Sequence, residues 1–489
     1  MEFGSLIFLF LFLPIFLFFY FISPLRIKKI VLMVFSLLFY YFVAGNYAGV
    51  LILSILFNFF MGDLIEKLSV IKKRRLALTF GIIVNVFTLI YFKYMAFFLS
   101  GIISVKGLFF SGEIATGSSS FPVGISFYTF IAISYLTDIY RKNAAGFSKI
   151  SDIALSFTMF PKLLAGPITL HSKFSRQITL ERRYLYDFDE GVKRVIIGLG
   201  KKVLIADYLS GTANDIFNIP NGMLTFSLAW LGAITYTLTL YLDFSGYSDI
   251  AIGLGKILGY DIPENFNFPY ISRSIKEFWK RWHISLSEWL QTYLFLPIAY
   301  WVMRKIEKDT FFKVKTENVA YISSSFITMV ICGLWHGAAW TFVFWGVFHG
   351  SMLIIEHNFL KRFLKKKRYF LLQWFYAQIV IISGWVIFRS SGLDQIKDFM
   401  FSMVGFGQGS GIKYSAGFYI NAQFVWILFA GIIVSFPIFN WIKQRLSGGS
   451  ATVKIVSGAI ESLSLLVIFI LSIMAIAGGT YNPFIYFRF

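Results

Sequence analysis

The sequence predicts an all-α protein that crosses a membrane many times. Hydrophobic residues make up 57 % of the chain, aromatic residues 20 % and charged residues only 14 %, which is too little charge to clothe a soluble surface. Apolar stretches near the roughly 20 residues that cross hydrocarbon recur from one end to the other. Lys and Arg gather in alternate loops, as they do where short loops stay in the cytoplasm.

The first stretch, Ser5 to Ile22, has Glu2 before it and Arg26 to Lys29 after it. With no basic flank ahead and no small-residue cleavage site behind, it reads as a retained helix with the N-terminus outside. Further stretches run Ile30 to Ala44, Tyr47 to Met61, Leu76 to Phe92, Val123 to Tyr140 and Ile153 to Leu164. After Leu224 to Leu242 come Val319 to Leu334, Ala338 to Ile355, Phe370 to Phe388, Phe418 to Phe439 and Ile455 to Ile476. Several are short, which implies tilted, broken or re-entrant helices. The basic loops Lys72 to Arg75, Arg141 to Lys142, Lys361 to Arg368 and Lys443 to Arg445 fall on the cytoplasmic side. The weakly charged Gly45 to Asn46, Ser104 to Ser120 and Ser390 to Gly417 fit the outside, and so does the C-terminus. Between Phe160 and Trp301, apart from Leu224 to Leu242, the chain mixes aromatic, charged, Gly and Pro residues, the mark of amphipathic or re-entrant helices buried in protein or lining a cavity. Lys193 to Leu209 reads as an interfacial helix with snorkelling lysines. No linker or repeat divides the chain, so residues 1–489 read as a single integral membrane domain.

The formal charge of +20 is explained by basic loops facing anionic headgroups. Some of those residues can also guide an anionic substrate such as the phosphates of coenzyme A. Their scatter over loops argues against nucleic acid. The single cysteine, Cys332, excludes a disulfide framework or a thiolate metal cluster; no acid or second histidine sits at ligand spacing around His336, and His349 and His357 are eight residues apart, so no metal is expected.

Five runs carry polar groups in apolar settings. Phe121 to Phe130 opens a helix leading to Asp138, with Pro122 and Gly124 at its entry and Ser126 and Thr129 on one face; close helix packing explains it as well as function does. Phe160 to Ile168 has prolines at 161 and 167, which break the helix. Tyr241 to Asp249 places Asp243 and Asp249 at the end of an apolar run, together with Ser245. Asp249 can cap a helix starting at Ile250, whereas Asp243 suits an orienting or cavity role. Arg273 to Trp289 interleaves Lys276, Glu277, Lys280, Arg281 and His283 with Phe278, Trp279, Trp282 and Trp289. Read as one helix, it aligns Trp279, Trp282 and His283 on a face and turns Lys280 away; an interfacial belt would show the same pattern. The fifth run, Leu334 to Trp340, holds His336, one of only five histidines. Small residues 337–339 allow close approach and Trp335 and Trp340 are expected to wall the site. An ionisable group at membrane depth is a candidate for function. His349 and His357 look like packing or interface residues.

Together the runs Phe121 to Tyr128, Phe160 to Pro167, Tyr241 to Leu254, Asn265 to Pro297, Leu334 to Trp340 and Pro483 to Phe487 resemble the membrane-bound O-acyltransferase family, in particular its bacterial alginate O-acetyltransferase branch. One departure is that Phe295 to Met303 lacks the Gly-Gly-Asn type loop common in that branch. The resemblance implies a ring of about 11 to 13 transmembrane helices, with re-entrant and amphipathic helices, around a central tunnel. It implies a bacterial inner-membrane enzyme with no permanently bound cofactor. Acetyl-CoA would be the cytoplasmic acyl donor, an extracytoplasmic acetyltransferase the partner, and an exported or cell-surface polysaccharide the final acceptor. His336 matches the family's invariant histidine and His283 a second one.

A hydroxyl attacks a thioester poorly unless a base removes its proton, and neutral imidazole near pH 7 is matched to that task. His336 is therefore assigned as the general base, or as the group that orients the donor carbonyl, with His283 assisting. Asp243, Ser245, Lys280 and Arg281 are candidates for binding or support, and Trp282 and Trp335 for excluding water. Two rivals are an acyltransferase acting on teichoic acid or lipid, and a polysaccharide-precursor transporter without chemistry.

Overall fold

The computed structural model describes residues 2–107 (side chains to 95), 122–179, 187–306, 309–311, 314–407, 409, 415–479 and 484. Phe121, most of the Ser104 to Ser120 loop and the terminal run except Phe484 lie outside the described residues. Among the described residues the regular secondary structure is helical apart from two-residue strands, Thr310–Phe311 and Val314–Lys315, paired antiparallel with Thr310 opposite Lys315.

Among the described residues, five helical runs are long and apolar enough to cross a membrane: Leu25–Lys67, Ile71–Met95, Thr316–His336, Lys367–Arg389 and Ala451–Ala477. Ala422–Val434 and Ile438–Leu446, bent by 62°, make a sixth if they form one span. The first run covers 43 residues, about twice the hydrocarbon thickness at 1.5 Å per residue. Gly45, with φ 56° and ψ −132°, divides it into Leu25–Ala44 and Ala48–Lys67, each 20 residues long, and both pack on Ile150–Thr158. Other apolar stretches form helices that are shorter or more polar, such as Ile125–Arg141 and Trp340–Ile355. The fold is that of an all-α polytopic membrane protein, and fewer of its helices meet the simple length and composition test than the number expected.

The chain gathers into two compact units. The first comprises residues 1–188, 254–263 and 337–339. Phe160 is its hub: Phe12, Phe16 and Phe39 surround the ring at centroid distances of 5.6, 5.1 and 5.6 Å, and its backbone N–H donates to Ser36 Oγ at 3.1 Å. As the prolines predict, the helix breaks here, at Met159, between Ile150–Thr158 and Phe160–Leu163. Lys162 in that break is buried and donates to Ser156 O and Thr169 Oγ1 at 2.6 and 2.8 Å. Elsewhere Asn58 and Asn85 exchange amide hydrogen bonds of 3.0 and 2.9 Å between two helices, the kind of polar link that holds helices together in lipid.

The second unit comprises residues 189–253, 264–336 and 340–489. Its helices approach closely through glycine. A Cβ on Gly198 would lie 2.6 Å from the Gly246 carbonyl oxygen, and one on Gly253 would lie 2.6 Å from that of Gly191. Gly333 and Gly346 bring Thr316–His336 against Trp340–Ile355 so tightly that a Cβ on either would collide with the carbonyl of Phe342 or Met329. This second crossing holds His336 in place. Gly346→Leu is expected to force the pair apart at a cost of about 1–3 kcal/mol or more, seen as a lowered melting temperature in detergent; unchanged melting would contradict the tight crossing.

Candidate active site

His283 is built by its backbone. Arg273 to Trp289 is not one helix: Ile275–Phe278 is followed by a tight turn and then Ile284–Leu290. His283 occupies the left-handed region between them, φ 42° and ψ 55°, a conformation that costs a non-glycine residue on the order of 1 kcal/mol. Trp279, Trp282 and His283 therefore do not share a helical face.

Asn265 holds the turn in that shape. Its carbonyl accepts the Ile284 N–H at 2.9 Å, and its side-chain oxygen accepts from Ser285 Oγ at 2.8 Å and from the Ser285 N–H at 3.4 Å. Its amide nitrogen donates to Ser248 Oγ at 3.1 Å. The same side-chain oxygen lies 3.0 Å from His283 Nδ1. Since a backbone N–H can only donate, the atom that meets Ser285 is the amide oxygen, and Nδ1 must carry the imidazole proton. Nε2 then holds the lone pair. The imidazole is 1 % exposed, and burial pulls its pKa well below the usual histidine range.

His336 ends the helix Thr316–His336 and is 4 % exposed. Trp335, Trp345 and Phe388 surround its ring at 4.8, 5.1 and 5.1 Å, the last two nearly edge-on. Trp335 also meets His283, at 6.4 Å. One indole therefore touches both imidazoles, and the two histidines predicted from the sequence belong to one aromatic chamber. Phe244 closes the other side of His283 at 4.7 Å. Trp340, expected to wall the site, is 64 % exposed because it opens the next helix with its side chain turned outward.

The remaining predicted residues divide. Trp282 is buried in a cluster with Phe266, Phe278 and Trp385 at 5.0, 5.7 and 4.7 Å. Ser245 is buried, with no hydrogen-bond partner among the described residues. Lys280 is exposed, outside the chamber. Arg281 supports the turn instead: it donates to Glu277 Oε1 at 3.0 Å and to the Asn267 carbonyl at 3.1 Å. Asp249 caps nothing, since Phe226–Leu258 runs through it; it pairs with Arg194 and Lys201 at 2.9 and 2.7 Å.

Asp243 is bound to Lys202, which sequence reasoning placed at the interface. Lys202 Nζ lies 2.8 Å from Asp243 Oδ1 and 2.5 Å from Asp207 Oδ1, and all three side chains are at most 6 % exposed. Burial works to lower the pKa of this ammonium, but Asp243 and Asp207 outweigh it and raise the value overall. The lysine does not snorkel because two carboxylates meet it in the interior. It lies in a π-helical step, Lys201–Ala206, between Phe188–Gly200 and Asp207–Phe217.

Asn265, Lys202, Asp207, Trp345 and Phe388 were not singled out as site residues by sequence reasoning. Asn265 lies in an aromatic run, but its partners stand 17 to 20 residues away and no local period connects them. Lys202→Met would leave two buried carboxylates without their cation, at a cost of about 3–5 kcal/mol. Most of that loss should return when Asp207→Asn and Asp243→Asn are added, and melting of the purified variants tests both statements.

The segment 147–393, which contains this entire chamber, matches the membrane-bound O-acyltransferase family. Over the full length of both chains the sequence is 34 % identical to the probable alginate O-acetylase of Azotobacter vinelandii. It is 32 % identical to the peptidoglycan O-acetyltransferase of Helicobacter pylori, over 82 % of this chain and 80 % of that one. A teichoic acid D-alanyltransferase of Bacillus subtilis is 30 % identical over 50 % of this chain and 61 % of its own. A chamber of buried imidazoles inside the matched segment, and relatives aligned from end to end, lead to one conclusion: the chain belongs to the membrane-bound O-acyltransferase family.

Proposed function

We propose that this O-acyltransferase takes an acetyl group from a cytoplasmic thioester, acetyl-CoA, and passes it across the inner membrane for O-acetylation of an exported or cell-surface polysaccharide. An extracytoplasmic acetyltransferase is the partner that completes delivery. Both termini of the chain lie outside in this reading. The observation that carries it is the pair of buried imidazoles against Trp335, one of them in a single tautomer set by Asn265. The names of the alginate and peptidoglycan relatives favour a glycan acceptor.

His336 acts as the general base. It takes the proton of the attacking hydroxyl as that oxygen bonds to the thioester carbonyl carbon; the C–S bond then breaks and the departing thiolate recovers the proton. No proton is consumed overall. His283 assists through Nε2, which accepts a hydrogen bond from a substrate O–H or N–H and holds the reacting group. Trp335 and Trp282 keep water from the thioester.

His336→Ala should lower acetyl transfer about 100-fold or more at normal protein level, and His283→Ala less. His283 stays neutral well below the usual imidazole value of about 6.5, so its own protonation should leave the rate unchanged near neutral pH. Membranes given labelled acetyl-CoA and scored for alkali-labile acetyl on polysaccharide measure both effects. Undiminished function in His336→Ala would favour a transporter, and label confined to lipid would favour a lipid acceptor.

Orientation has its own test. Cys332 is the single cysteine, so Cys332→Ser gives a background for new cysteines at Gly337 and Ala338, next to His336. Reagents added from each face of the membrane report which side reaches them, and bound acetyl-CoA should slow that labelling; labelling that ignores acetyl-CoA would separate His336 from the donor path.

A further inference from the structure

His349, which reads from the sequence as a packing or interface residue, has surroundings that packing alone does not explain. It is 1 % exposed, and neither ring nitrogen has a hydrogen-bond partner among the described residues. Phe278, Trp279, Trp345 and Phe348 enclose the ring at 6.3, 5.4, 5.0 and 5.5 Å. Gly384 leaves room for it, since a Cβ there would stand 2.6 Å from Nε2. A phenylalanine would fill such a box without burying polar nitrogens that lack partners, so packing alone favours the other residue. The indole nitrogens of Trp279, Trp345 and Trp385 are also buried without a hydrogen-bond partner among the described residues. Indole N–H can only donate, and a neutral imidazole supplies one more donor. The box is therefore rich in donors and poor in acceptors. Trp345 joins it to the base, because the same indole meets His336 at 5.1 Å and His349 at 5.0 Å.

We propose that His349 and Trp345 are catalytic residues whose N–H groups donate to the carbonyl oxygen of the acyl group being transferred at His336. The inference rests on the acyl-transfer reading above. When the hydroxyl oxygen bonds to the carbonyl carbon, the carbonyl π pair moves onto oxygen, and the two donors stabilise that oxyanion. The pair returns as the C–S bond breaks, and the thiolate leaves with the proton held by His336. Donors fixed in a dry site do most for charge that develops only in the transition state, so their loss should appear in turnover and not in binding.

His349→Phe and Trp345→Phe keep a ring in place and remove the donors. In membranes holding the full chain, with labelled acetyl-CoA as the probe, each should lower turnover about 100-fold with little change in KM for acetyl-CoA. His349→Phe should melt no lower than the parent. Turnover near the parent's in a folded His349→Phe or Trp345→Phe protein overturns the proposal, as does a loss that appears only in KM. If His349→Phe does not accumulate, Trp345→Phe decides alone. His336→Ala in the same assay separates the two readings: activity there removes the base assignment, whereas an inactive His336→Ala beside an active His349→Phe removes only the oxyanion donors.

Discussion

A side-chain amide at Asn265 supports much of the geometry of the candidate site. Its oxygen receives His283 Nδ1, Ser285 Oγ and the Ser285 N–H, and its backbone carbonyl receives the Ile284 N–H. Together these bonds hold His283 in a left-handed conformation that the residue would not adopt alone. The bend points the imidazole into the protein instead of along a helix face, and the amide selects its tautomer. The turn is anchored a second time at its entry: Ser274 Oγ accepts the Glu277 N–H, and the Glu356 carboxylate accepts the N–H groups of Ile275 and Lys276. The first turn of a helix only four residues long is thus satisfied by side chains, as a buried helix end requires.

Charge is treated differently from the imidazoles. Lys202, Asp207 and Asp243 are buried as a set, and Arg194 and Lys201 pair with Asp249 on the same two helical stretches. A lone buried ion would be far more costly than the paired set. These pairs fix Phe188–Phe217 against the long helix that carries Asp243, Ser245 and Phe244, and Phe244 in turn packs on His283. Asp243 is therefore tied to the chamber structurally, through Lys202 and through Phe244 beside it.

Much of this was legible in the sequence, for identifiable reasons. Composition and apolar length reveal the membrane class because lipid imposes them directly. Pro161 and Pro167 reveal the break around Phe160 because proline acts locally. His336 stands out because a titratable group in an apolar run needs an explanation, and His283 because aromatic residues crowd it. Sequence reasoning went astray where a local period was trusted over tertiary contacts. The turn at His283 depends on Asn265, 18 residues earlier; Lys202 looks like a snorkelling lysine until Asp243, 41 residues later, is brought to it. The enclosure of His349 by Trp279 and the space at Gly384 likewise comes from distant segments that no local period connects.

Buried histidines paired with aromatic walls make physical sense for acyl transfer in a membrane. A carboxylate base in such a chamber would need a counter-ion, and an ammonium would have no proton-accepting lone pair. An imidazole can be neutral in the resting state and charged only while it holds the substrate's proton. The walls are aromatic because rings exclude water from a thioester while their edges still tolerate that brief charge. Fixed tautomers matter for the same reason: an imidazole whose proton sits on the wrong nitrogen presents a donor where an acceptor is needed. Asn265 removes that error for His283 in advance, and Trp335, in contact with both rings, carries the order of that turn to the end of the helix that bears His336.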